Sequence, residues 1–139
     1  MDICDKLIDL RIALTTRCDG FSATNSNKDI LLSSRIKVLH CLNYKDMMPS
    51  ELIESLGIAK SNLANLSKAL IAEGVIDSYK SMGNQRNIYY RITDKGINEL
   101  NAYKLSLNKV FGDRYRDKID ELKVNIDKIL DILKGNWYD

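Results

Sequence analysis

Between Gly57 and Gly74 the chain reads GIAKSNLANLSKALIAEG, and no acid appears before Glu73. Lys60, Ser61, Asn62, Asn65, Ser67 and Lys68 are spread among apolar residues in a helical rhythm. Glu and Arg would solubilise a helix as well as these short amides and hydroxyls do. The chemistry offered is recognition rather than bond-making. An Asn side chain presents a donor beside an acceptor and pairs with two edge atoms of adenine, and a Ser hydroxyl bonds either kind of base edge. Lysines neutralise phosphates, which long acids would repel. A second polar group, Asn84, Gln85 and Arg86, lies in SMGNQR between two strand-like runs.

Chemistry of other kinds finds little material. There is one histidine, His40, and no paired carboxylates, nucleophile–base pair or phosphate loop stands out. The chain therefore reads as a binding protein and not an enzyme, with no cofactor. The three cysteines, Cys4, Cys18 and Cys41, form no CxxC or Cys/His cluster, so neither a disulfide scaffold nor a metal site is expected. Cys18, beside Arg17, and Cys4 are the candidates for a redox-active thiol, which needs a depressed pKa and access. The competing reading of each is a small buried apolar residue. No apolar run reaches the length of a membrane span, and MDICDKLIDL is too charged and periodic for a signal peptide. A cytoplasmic protein that avoids membranes is the expectation.

The elements that must position the polar residues follow from periodicity. Ile3, Leu7, Leu10 and Leu14 mark one face of a helix over residues 2–19. Gly20 and the polar run 22–29 break it. Ser34 can cap a helix carrying Ile36, Leu39 and Leu42, and Tyr44 to Met48 is a connector. Pro49 starts a short helix that Gly57 ends. In the next helix Leu63, Leu66, Leu70 and Ile71 form the expected buried stripe, and Gly74 stops it. VIDSYK and NIYYRIT read as strands, the second alternating Ile88, Tyr90 and Ile92 against Tyr89, Arg91 and Thr93. Thr93 can cap a helix bearing Leu100, Leu107 and Phe111. Ile119, Leu122, Ile126, Ile129 and Leu133 make an a/d seam in the last helix.

Helices followed by one hairpin make a winged helix-turn-helix arrangement, whose second motif helix enters a major groove. Net charge is only +2, but its distribution is uneven. From Ile58 to Gly96 the six bases Lys60, Lys68, Lys80, Arg86, Arg91 and Lys95 face three acids, Glu73, Asp77 and Asp94, a local +3. From Ile119 to Asp139 three lysines face five acids, a local −2. Phosphate contacts require the local excess, not a high overall pI.

The block PSELIESLGIAKSNLANLSKALIAEGVID and the hairpin with NQRNIYYRITDKG resemble the MarR family of winged-helix regulators over roughly residues 31–104. The resemblance implies a mainly α fold with a small β-hairpin wing. Residues 1–139 would form one domain, with a winged-helix core at about 31–96 and dimerisation helices at about 2–19 and 97–135. It implies a homodimeric DNA-binding transcriptional regulator, a repressor on palindromic promoter DNA, released by a small-molecule effector or thiol oxidation. The expected DNA-binding residues are Lys60, Ser61, Asn62, Asn65 and Lys68 on helix 60–72, with Asn84, Gln85 and Arg86 in the wing. The effector would occupy a crevice between dimer helices and DNA-binding lobe. Three positions depart from the family pattern. Ala59 stands where a capping Ser or Thr is usual, which points to Ser61 as cap and a later helix start; Met48 replaces a capping hydroxyl; and Asn84, not Asp, precedes Arg86.

Two other readings stay open on the residues alone. The polar face of helix 60–72 could be a plain solvated surface, and a winged helix can be a protein–protein interaction module with no nucleic acid.

Overall fold

The computed structural model describes residues 3–17 and 33–138; the side chains of 13–17, 84–85, 110–114 and 134–138 lie outside the description. Cys18 and the polar run 22–29 fall outside it too. The helices are α1 (Ile3–Arg17), α2 (Ser34–Tyr44), α3 (Pro49–Leu56), α4 (Lys60–Ala72), α5 (Asp94–Tyr115) and α6 (Ile119–Tyr138). Strands β1 (Ile76–Ser81) and β2 (Asn84–Ile92) lie between α4 and α5, and a 3-10 turn (Arg116–Lys118) joins α5 to α6. Two compact units result: residues 33–101, and α1 with the chain from Ala102 on.

The 33–101 unit is built on helix caps that the sequence largely specifies. The Ser33 hydroxyl, one residue before the expected cap, accepts from the Ile36 N–H at 3.3 Å. Pro49 occupies the first turn of α3, where its missing N–H leaves no bond unmade. Met48 offers no hydroxyl, but the Glu51 carboxylate accepts the Met48 N–H at 3.1 Å, half of a capping box. Gly57 closes α3 at φ 65°, a left-handed conformation that an L side chain resists. The core of this unit takes Val38, Leu39 and Leu42 from α2, Leu52 and Leu56 from α3, Leu63 and Leu70 from α4, and Val75, Ile76 and Leu100. Fully burying each Leu contributes about 2 kcal/mol of transfer free energy.

The hairpin is antiparallel, pairing Ile76 with Ile92 and Tyr79 with Tyr89. β2 begins at Asn84, three residues earlier than expected, so the turn shrinks to Met82-Gly83. Polar Asn84, Gln85 and Arg86 carry no alternation to betray a strand. The register shifts between Lys80 and Ser81. The α2–α3 connector joins the sheet through one bridge: the Tyr90 N–H donates to the Met47 carbonyl at 2.8 Å, and Met47 N–H to Tyr90 carbonyl at 3.2 Å.

In the other unit α1 packs on α6. Lys6 pairs with Asp127, and Lys104 with Asp5 at 2.6 Å. The buried residues of α1 are Ile3, Cys4, Lys6 and Ile8, with Leu7 and Leu10 half-buried, so the expected Ile3–Leu7–Leu10–Leu14 stripe is corrected at Leu7 and Leu10, and the Leu14 side chain lies outside the description. On α6, Ile126 and Leu130 are buried while Ile129 is 42% exposed. This helix is apolar on two sides, and its packed stripe runs through Leu130 where the heptad pattern points to Ile129. Among the described residues no helix is long and apolar enough to cross a membrane.

Candidate nucleic-acid interface

The helix α4 is held at its C-terminal end by bonds that leave its outer face clear. Ala59 is its N-cap and makes no side-chain cap bond, so the helix starts at Lys60 and Ser61 does not take over. An alanine cap costs about 1 kcal/mol against serine, and the neighbouring packing outweighs it. At the C-terminus the Val75 N–H donates to the Leu70 carbonyl at 3.1 Å and the Gly74 N–H to the Ile71 carbonyl at 3.0 Å. With Gly74 at φ 76° this is a Schellman motif, and its apolar pair is Leu70 with Val75, both fully buried. The start of α5 supplies donors to the two carbonyls that follow the helix. Thr93 Oγ1 donates to Gly74 O at 2.6 Å and accepts from the Gly96 N–H at 3.2 Å, confirming Thr93 as the α5 cap. Lys95 Nζ donates to Glu73 O at 2.8 Å.

Arg35 completes the clamp. Its guanidinium donates through Nε and Nη2 to the two oxygens of Glu99, and through Nη1 to Glu73 at 2.8 Å. Hydrogen bonds from Arg35 hold the carboxyls of Glu99 and Glu73 below the usual carboxylate range, against the opposing effect of burial. The same bonds raise the Arg35 pKa further above neutrality. One cation thereby ties the first turn of α2 to the end of α4 and to α5.

Leu63, Ser67 and Leu70 are the buried positions of α4. At about 100° per residue they fall within about 60° of one another. Ser61, Asn65, Lys68 and Ala72 fall in a similar arc on the opposite side, and all are exposed. Asn62 flanks that arc and Lys60 lies toward the hairpin side; both are exposed. The expected apolar stripe is corrected at one edge: Leu66 is half-buried and Ile71 is 39% exposed, because Ile71 lies about 80° from the packed centre.

Ser67 was the residue that type alone misplaced. It is 4% exposed; its hydroxyl donates to Ala64 O at 3.1 Å and accepts from the Tyr90 phenol at 3.2 Å. Tyr90 thus joins α4, the hairpin and the α2–α3 connector. No sequence signal announces such a long-range bond, although Tyr90 sits on the expected inner face of β2.

The wing's cations divide in two. Arg91 stands 3.7 Å from Asp77 and 5.2 Å over the Tyr79 ring, which stacks on Tyr89 at 5.7 Å. The Tyr79 phenol is bonded to Asp46, which raises its pKa. This set packs one face of the hairpin. Lys80 and Arg86 are exposed nearer the turn. Asn84 and Gln85 belong to β2, with side chains outside the description. Between α3, the first turns of α4 and β2 lies a groove of about 480 Å³. Met48, Ile53, Leu63 and Ile88 give it an apolar lining, with Lys60 and Arg86 as its cations. Cys4 is buried and its thiol donates to the Lys104 carbonyl at 3.3 Å, an environment that favours the core reading over a reactive thiol. Cys41 is also buried.

Three helices, an exposed polar helix face and a two-stranded wing define a winged helix-turn-helix protein. A family model described as a winged helix DNA-binding domain matches residues 34–111, and the chain belongs to that family. Solved structures carry the same fold. The transcriptional regulator BldR from Sulfolobus solfataricus matches at 20% identity and TM-score 0.57, over 75% of this chain and 77% of that one. Apo MarR from E. coli matches at 16% identity and TM-score 0.56, over 70% and 76%. The haem sensor PefR from Streptococcus agalactiae, in complex with haem, matches at 22% identity and TM-score 0.53, over 84% of each chain. The fold is that of the MarR-type regulators, as the resemblance implied. No curated protein matches the chain.

Proposed function

We propose that the protein is a dimeric, sequence-specific transcriptional repressor that reads palindromic DNA with α4 and grips the flanking backbone with the wing. The observation that carries this reading is the division of α4: Leu63, Ser67 and Leu70 inward, and Ser61, Asn65 and Lys68 outward, with its C-terminal end tied down. Short donors and acceptors on a rigid, exposed helix suit base edges in a major groove. Lys60, Lys68, Lys80 and Arg86 would supply the phosphate contacts; Arg91 stands near Asp77, and Arg35 holds Glu73.

Pairing of two chains draws support from apolar residues left in water on α5 and α6: Leu105 at 67%, Val124 at 53% and Ile132 at 61% exposure. A second copy would cover them. Two α4 helices would then meet half-sites on the order of 10 bp apart. Release by a small anionic effector is the finer part of the reading, with its site moved from the expected crevice beside the dimer helices to the groove between α3, α4 and β2. The groove is of ligand size, and its cations Lys60 and Arg86 are ones the DNA would also need.

Titration into duplex from upstream of the protein's own gene, beside a scrambled duplex, at low and moderate salt, tests the proposal. Binding that prefers the native duplex, weakens steeply with salt and fits two chains per site is the expected result. No binding to any duplex at low salt refutes it and favours a protein-interaction module.

A further inference from the structure

Building on the DNA-binding reading, we propose that Met82 is a minor-groove wedge. Its side chain enters the groove beside the bases read by α4, partly unstacks one base step and bends the duplex. Met82 is 98% exposed, the most exposed of the large hydrophobic residues described. A single exposed apolar residue on a surface means little; its place gives it meaning. It stands at the apex of the hairpin, in the two-residue turn between Ser81 and Asn84.

Three features fit that apex to DNA. First, it is slim. Its other residue is Gly83, and a Cβ there would meet nothing within 4 Å, so one side chain leads into a groove about 6 Å wide. Second, its surroundings are basic. No acid occurs between Asp77 and Asp94, and Lys80 and Arg86 flank the turn. A polyanion is the partner that such a tip accepts, and the lysine and arginine would hold the two phosphate rails while methionine faces the bases. Third, the base of the hairpin is anchored. Tyr90 bonds Met47 and Ser67, and the register shift at Lys80/Ser81 adds a local bend to the ribbon. An anchored ribbon can drive a wedge; a loose one would yield.

Apolar side chains inserted at base steps kink DNA by about 20–90°. Methionine suits the role because its unbranched, polarizable chain fills irregular gaps. The cost falls on the stacked step, so flexible TA or CA steps at the wing-facing position should be preferred over a stiff A-tract. The wedge would thus add sequence preference at positions that α4 does not touch.

The test uses the full chain and its operator duplex, labelled at both ends for energy transfer, with either TA or AA at the wing-facing step. The wild type should bend the duplex and prefer TA. Met82→Ala should lose most of the bend and the TA preference, with affinity for the TA duplex falling about ten-fold, as for one lost step contact, and an unchanged salt slope. Met82→Leu should restore bend and preference. Met82→Lys should recover affinity through charge but not the bend. Folding is not at risk at so exposed a position. If the wild type binds but Met82→Ala bends and discriminates as it does, the wedge is wrong while the regulator reading stands. If the wild type binds no duplex, both fall.

Discussion

Replacing Arg35 by Met keeps the aliphatic stem and removes the charge that joins α2, α4 and α5. The Arg35 and Glu99 side chains are 31% and 32% exposed, and two hydrogen bonds link them. That places the pair between surface ion pairs, worth about 0–1 kcal/mol, and buried ones, whose rupture costs about 3–5 kcal/mol. A loss of about 1–2 kcal/mol follows for this pair. With about 2.1 cal/mol/K of unfolding entropy per residue over 139 residues, Tm should fall by about 3–7 °C. The effect must also depend on pH. Glu99 sits below its ordinary value of 4.5 in the folded chain, so its contribution is complete above that value and is lost as pH falls through the lower folded pKa. Arginine stays charged throughout and adds no slope. Urea titrations of wild type and Arg35→Met at pH 7, 5 and 3 provide the assay. The stability gap should be equal at pH 7 and 5 and shrink at pH 3. A gap that persists undiminished at pH 3 would show that lost packing, not the ion pair, carries the effect.

Other changes probe other parts of the account. Gly96→Ala would put a Cβ 2.2 Å from the Val75 carbonyl oxygen and 2.7 Å from Ile92 Cγ1, so thermal melts should show a loss of about 2–3 kcal/mol. Tyr90→Phe removes the donor to Ser67 and should cost about 1 kcal/mol; a double-mutant cycle with Ser67→Ala should find the two effects coupled, and simple additivity would deny the bond. Lys68→Ala should weaken binding to all duplexes and lower the slope of log K against log salt by about 1.8, two phosphate contacts in a dimer. An unchanged slope would remove Lys68 from the interface.

Much of the fold could be read where chain chemistry is local. Pro49, Gly57, Gly74 and Thr93 punctuate helices through their own φ or hydroxyl, and each sits where its type requires. Local periodicity also yields the packed Leu63 and Leu70. Misses arose where a distant partner decides. Ser67 is polar, yet the Tyr90 phenol 23 residues away makes its burial tolerable. The Met47–Tyr90 bridge extends the sheet with a residue no strand pattern includes. Asn84 joins β2 because Ser81 lies opposite it, not through its own propensity. On α6 the single chain buries Ile126 and Leu130 and leaves Ile129 of the a/d seam exposed. The outward positions Ser61, Asn65 and Lys68 were legible because they lie opposite a leucine stripe. The nearness of Arg91 to Asp77 was not, since the register of the hairpin brings the two together.

The central claim is that the outer face of α4 reads bases, and Asn65 is the residue to test it. Wild type and Asn65→Ala should be titrated against an operator in which each base pair is replaced in turn. The account predicts that the wild type discriminates at one symmetric position per half-site by roughly 5–150-fold, and that Asn65→Ala loses discrimination there alone. Equal weakening on every duplex, or no change at all, would contradict it.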